Sequence, residues 1–146
     1  MKKMDCLFPV IAVLLILSVL LPVFPVSAAD SRCHAITIQT QQGIEPGVLT
    51  ISKGDCVVWL NLTRGADVRV IFKEGKQCMA KTVSPKGFAM DATGCYGTGI
   101  VPFSETVSLT FTESGRFAYE VKFLKSGMGP STSSELSSPS GTIVVK

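Results

Sequence analysis

The chain has 146 residues, with 14 Lys and Arg against 11 Asp and Glu and a formal net charge of +3. So even a balance supplies neither the basic stripe of a nucleic-acid binder nor an acidic tail. The length allows one domain with a modest core.

Lys2 and Lys3 open the chain with positive charge, and Leu7 to Val26 is almost wholly apolar. Val26-Ser27-Ala28 and Ser27-Ala28-Ala29 then offer small residues at the two positions a signal peptidase reads. Residues 1–29 therefore read as a secretory signal peptide of bacterial type, and 30–146 as the exported domain, periplasmic or extracellular. The apolar run approaches the length of a bilayer span. Pro9, Pro22 and Pro25 interrupt it and no positive cluster follows, so a retained anchor is the alternative. Nothing after residue 29 is apolar for long enough to span a membrane.

Ala35 to Gln39 alternates apolar and polar residues, as a half-buried strand does. Gln41 to Pro46 reads as a polar connector. Two runs rich in β-branched residues follow, Val48–Ser52 and Cys56–Leu62, with the turn signal Lys53-Gly54-Asp55 between them. Trp59, in the middle of the second, is expected to fill the core. Thr63-Arg64-Gly65-Ala66 turns the chain into Asp67–Phe72. There Val68, Val70 and Phe72 share one face, and Ile71 breaks the alternation as if both faces were partly covered.

Lys73 to Gly99 is the longest irregular stretch, with five glycines, Pro85 and no sustained helical period. A loop of that length is uncommon in a compact domain unless stapled or functional. Alternation resumes in Val107–Phe111. After a turn at Glu113-Ser114-Gly115 it continues through Arg116–Phe123, with Phe117, Tyr119, Val121 and Phe123 facing one way. Ser126 to Ser140, rich in Ser, Gly and Pro, reads as an exposed loop, and Gly141–Val145 as the closing strand. The sum is an all-β Greek-key sandwich of about seven to eight strands.

Four cysteines lie beyond the signal segment: Cys33, Cys56, Cys78 and Cys95. An even number in an exported chain favours two disulfides, with three connectivities open. Cys78 and Cys95 sit near the ends of the long irregular stretch. A bond between them would close roughly 18 residues and contribute about 3 kcal/mol on the chain-entropy model.

In order and spacing the pattern resembles the cupredoxins, over nearly all of 30–146. The carriers are Pro46-Gly47 leading into Leu49-Thr50-Ile51, then Lys53-Gly54-Asp55 before Val57-Val58-Trp59-Leu60-Asn61. Ser108–Phe111, Gly115-Arg116-Phe117-Ala118-Tyr119 and Gly141–Val145 complete the set. The resemblance implies a first strand parallel and adjacent to the Trp59 strand, which brings Cys33 to the same sheet end as Cys56. It thereby favours the pairs Cys33–Cys56 and Cys78–Cys95. An immunoglobulin-like sandwich is the structural alternative.

Most cupredoxins carry electrons on a type 1 copper held by two imidazoles and a thiolate, usually with a weak axial Met. The resemblance places the first His within Gly65-Ala66-Asp67-Val68, which has none. It places the thiolate at Val121. The second His and the Met belong to Leu124–Ser140, which holds Met128 and no His. With His34 the only histidine of the chain, a two-imidazole site cannot be assembled from it.

No catalytic constellation is apparent either: there is no Ser, His and Asp set, and no paired acids of glycosidase type. The expectation is therefore a non-enzymatic, cupredoxin-like binding or structural module with no cofactor. It would meet an unidentified protein partner through 73–99 and 124–140, because loops on a rigid scaffold commonly carry recognition. The alternative cofactor is copper, handled by soft ligands drawn from His34, Met79, Met90, Met128 and the cysteines. A third reading is a subunit whose partner completes a metal or electron-transfer site.

Overall fold

The structure, a computed structural model, describes residues 31–125 and 138–146. The expected signal peptide, Met128 and most of the Ser126–Ser140 loop lie outside the described residues.

Alternation sets the strands. β1 (Cys33–Gln39) buries Ile36 and Ile38; β4 (Cys56–Asn61) buries Val57, Trp59 and Asn61; β5 (Ala66–Phe72) buries Val68, Val70 and Phe72. β9 (Thr106–Phe111), β10 (Gly115–Lys125) and β11 (Ser140–Val145) follow the same rule, each turning alternate residues inward. The expected core face of β10 is observed: Phe117, Tyr119 and Val121 are buried, and Phe123 packs against them.

Four short strands and one helix complete the lattice beyond the expected strands. β2 (Gly43–Glu45) lies inside the supposed connector. β3 (Val48–Ile51), which follows it, is the expected Val48–Ser52 strand. Lys73–Gly99 is not an irregular loop: it contains a six-residue helix, α1 (Gly75–Ala80), and strands β6 (Thr82–Lys86), β7 (Phe88–Met90) and β8 (Tyr96–Thr98). The described residues thus hold eleven strands rather than seven or eight.

The strands form two mixed sheets packed face to face, with orders β2-β1-β4-β9-β6 and β3-β11-β10-β5-β8-β7. β1 runs parallel to β4, with Cys33 opposite Cys56 and Ile36 opposite Trp59, the pairing the sequence resemblance implies. β2 and β3 are consecutive in sequence but belong to different sheets, so the chain crosses the sandwich edge at Pro46-Gly47. β6 and β7 cross the opposite edge at Gly87, whose φ of +84° and approach to Val107 (2.7 Å from a notional Cβ) admit only glycine.

Trp59, with no exposure, is the hub of the core. Its ring meets Phe72 at 6.0 Å and Tyr119 at 5.6 Å edge-on, and Phe88 at 5.3 Å. Edge-to-face contact adds stabilisation beyond the area buried.

Candidate functional site

Two ends and one flank of the sandwich carry the residues singled out in the sequence. At the end where β1 and β4 begin, Cys33 and Cys56 form a disulfide with a Cα–Cα distance of 4.4 Å. The expected Cys33–Cys56 pair is therefore present. Strand alternation puts this bond on the outer face of its sheet. His34 and Asp55 fall on the other face, so His34 and Cys33 do not converge on one ligand.

His34 is committed to Asp55. Its Nε2 lies 3.1 Å from Asp55 Oδ2, and the same buried carboxylate accepts the Ser52 N–H at 2.9 Å and the Arg32 N–H at 3.1 Å. Those bonds hold the Asp55 carboxyl below its ordinary value, the Ser52 amide contributing most, then the Arg32 amide and His34. Asp55 thereby fixes the start of β1 against the β3–β4 turn.

At the opposite end, where the resemblance would place a copper site, Asn61 organises the backbone. Its Nδ2 donates to the carbonyls of Val101 (2.9 Å) and Ala66 (3.2 Å), and its Oδ1 accepts the Thr63 N–H (2.9 Å). Thr63 Oγ1 donates in turn to the Ile38 carbonyl at 3.3 Å. The segment from Leu62 to Ala66 is thus closed by side-chain amide and hydroxyl groups. Val121, at the implied thiolate position, sits opposite Val70 with no exposure. A valine there is an ordinary core residue. Leu62, Ile100 and Phe103 are exposed large hydrophobics near this end. Sequence reading missed Ile100 and Phe103 because single apolar residues in a turn-rich segment have no period.

On the flank, α1 packs against β6, β7 and β8. Gly75 and Cys78, three residues apart, form its buried face. Gly75 is pressed onto the chain at Cys95: a Cβ would lie 2.8 Å from Cys95 C and collide with the Gly94 carbonyl. Cys78 reaches into the core, and burial pushes its thiol up to about 12. Such a thiol is protonated and inert at neutral pH.

Cys95 lies half-exposed in the β7–β8 turn. There Asp91 Oδ1 accepts the Cys95 N–H (3.0 Å), the Thr93 N–H (2.9 Å) and the Thr93 hydroxyl (2.7 Å). The expected Cys78–Cys95 bond is not formed, and both are free thiols. The reason is local: the helix turns Cys78 into the core, whereas the Asp91-capped turn keeps Cys95 at the surface.

The proposed soft ligands are dispersed. Met79, next to Cys78, is 47% exposed because the helix turns it away from the core. Met90, at the end of β7, packs partly against the core. His34 lies on the β2/β3 side of the sandwich and the two methionines on the β6/β7 side, so the fold does not bring His34 to them. Met128 lies outside the described residues. Among the described residues no three His, Cys, Asp or Glu side chains converge as a metal-binding group.

No protein-family model matches the chain, and no curated protein matches it. Among solved structures it is similar to point variants of amicyanin, a cupredoxin. One, a reduced Cu(I) form at pH 4, is 20% identical with a TM-score of 0.48, over 82% of this chain and 87% of that one. An oxidised variant is 20% identical with a TM-score of 0.46, over 77% and 80%. A third, reduced, is 19% identical with a TM-score of 0.48, over 82% and 87%.

Proposed function

We propose that this protein is an exported, non-catalytic β-sandwich module that recognises a partner or ligand and carries no type 1 copper. The observation that carries the reading is Val121. The position where the resemblance calls for a thiolate is filled by a fully buried valine paired with Val70. The Gly65–Val68 segment supplies no imidazole, and the single histidine is engaged by Asp55 at the far end of β4. Export is supported by the signal-like opening of the sequence and by the Cys33–Cys56 bond, since disulfides persist in oxidising compartments. The recognition surface is assigned to 73–99, which projects α1 and the β7–β8 turn from the sandwich flank, together with 124–140. The test is addition of Cu(II) to the purified mature protein. The reading expects no intense blue absorption and no type 1 spin-resonance signal. Either signature, stoichiometric with protein, would sink it.

The free thiols favour a second reading, Cu(I) handling near Cys78, Cys95, Met79 and Met90. Thiolate and thioether are the donors Cu(I) prefers. It predicts stoichiometric Cu(I) uptake against a competing chelator, lost in Cys95→Ser and weakened in Met79→Leu. The burial of Cys78 argues against it, because a thiol pushed up to about 12 must lose its proton to bind metal.

A further inference from the structure

The outer face of the β3-β11-β10-β5-β8-β7 sheet opens into a cavity of about 460 Å³. Register explains its shape. β10 turns Phe117, Tyr119 and Val121 inward, and so presents Arg116, Ala118 and Glu120 outward. The methyl group of Ala118 leaves a low floor between two long charged side chains. Lys73 and Glu74, just past β5, form one wall, and Ser140, opposite Glu120, forms the other.

The charges around this floor are not equivalent. Glu120 is already held by Lys73 at 3.0 Å and by Lys122 at 3.8 Å. Arg116 and Glu74 are both exposed, and neither forms an ion pair with another described residue. Glu74 stands at the N-cap of α1 but makes no capping hydrogen bond, so its carboxylate is not spent on the helix. The two also line a narrower niche of about 10 Å³, together with Gln77 and Cys78. A free cation and a free anion therefore flank one concavity without closing on each other.

A cavity of this size lies within the usual range of small-ligand pockets, about 300–1,000 Å³. A ligand with one charge would leave Arg116 or Glu74 facing it unmatched. Polyanions would meet Glu74 and Glu120, and polycations would meet Arg116 and Lys73. We propose that the cavity binds a small zwitterion, a free amino acid or dipeptide. Its carboxylate sits on the planar fork of Arg116, its ammonium on Glu74, and an apolar side chain lies over Ala118. This deepens the binding-module reading and rests on it.

The experiment is calorimetric titration of the mature protein with leucine and alanyl-leucine, and with N-acetyl-leucine and leucinamide, which each lack one charge. The expected result is saturable binding of the two zwitterions, weaker by about tenfold or more for either blocked compound, as loss of one charge-assisted contact predicts. Arg116→Gln should abolish discrimination against leucinamide, and Glu74→Gln discrimination against N-acetyl-leucine. Ala118→Phe should fill the floor and remove binding. Both charge variants sit on exposed side chains, and circular dichroism checks that all three remain folded. Absence of saturable binding to either zwitterion overturns the proposal, as does equal affinity for blocked and unblocked ligands. The parent reading fails on a different signal, the blue copper signature.

Discussion

Gly141 on β11 lies directly across from Tyr119 on β10, and a Cβ there would collide with Cζ and Oη of the tyrosine ring. Both neighbours are buried, so the ring cannot swing out to make room. Gly141→Ala should cost about 1–3 kcal/mol, the usual penalty for overpacking a filled core. Chemical denaturation read by Trp59 fluorescence would measure it; an unchanged midpoint would mean that Tyr119 is not fixed over Gly141. Asn61 makes a different demand. Alanine there leaves the Thr63 N–H and the Ala66 and Val101 carbonyls without their partner, at a cost of about 3 kcal/mol. Asn61→Asp should be no better, because a carboxylate can accept from Thr63 but cannot donate to either carbonyl. If Asn61→Asp proved as stable as the parent, the carbonyl bonds would be energetically idle. The sequence shows Asn61 after Trp59-Leu60 but not its three partners, since Val101 lies 40 positions away.

At the scale of elements, legibility followed length and turn signals. The four-residue β3 was marked by the Lys53-Gly54-Asp55 turn after it, whereas the five-residue β6, mostly exposed and holding Pro85, was missed. β1, β4, β5, β9, β10 and β11 each run six residues or more, enough alternation to be read directly. β2, β7 and β8 have three residues each, too few to show a period. α1 has six residues and no side-chain cap, so neither its period nor its start was signalled. The two half-pairs of cysteines separated for the same reason. Cys33 and Cys56 sit at the starts of long strands whose parallel pairing the resemblance implied. Cys78 lay on an unseen helix, and its orientation into the core could not be read. Two predictions belong here. Replacing Cys33 and Cys56 together by serine opens a cross-link spanning 23 positions and should lower stability by about 3 kcal/mol. Thiol labelling of the native protein at neutral pH should modify Cys95 and spare Cys78, with Cys78 becoming reactive only in denaturant. Rapid labelling of both in the native state would show that α1 does not hold Cys78 in the core.

The whole molecule couples these burials to pH, and the direction follows from which form the fold prefers. Asp55 and Asp91 are both held below their ordinary value, Asp91 chiefly by the Thr93 hydroxyl. Their stabilisation is present above the unfolded carboxyl range, near 3.8, and fades as pH falls through the lowered values. At the other extreme, burial pushes Cys78 from 9.0 and Tyr119 from 10.0 up to about 12 in each case. The fold prefers these two groups neutral, whereas the unfolded chain ionises them earlier. Their contribution is fully present below about pH 9, where an unfolded thiol keeps its proton, and declines as pH rises toward 12. Stability should therefore be flat across neutral pH and fall on both sides, in acid through the two carboxylates and in alkali through the two core groups. Replacing Cys78 by alanine tests the alkaline limb. The variant loses core packing and is less stable at pH 7, yet its stability should fall less between pH 9 and 11 than that of the parent, because one of the two ionisations is gone. Denaturation midpoints at pH 7, 9 and 11 for both proteins supply the comparison. Parallel curves would mean that Cys78 ionises without unfolding, and that the space beneath α1 admits water and hydroxide while the sandwich stays closed.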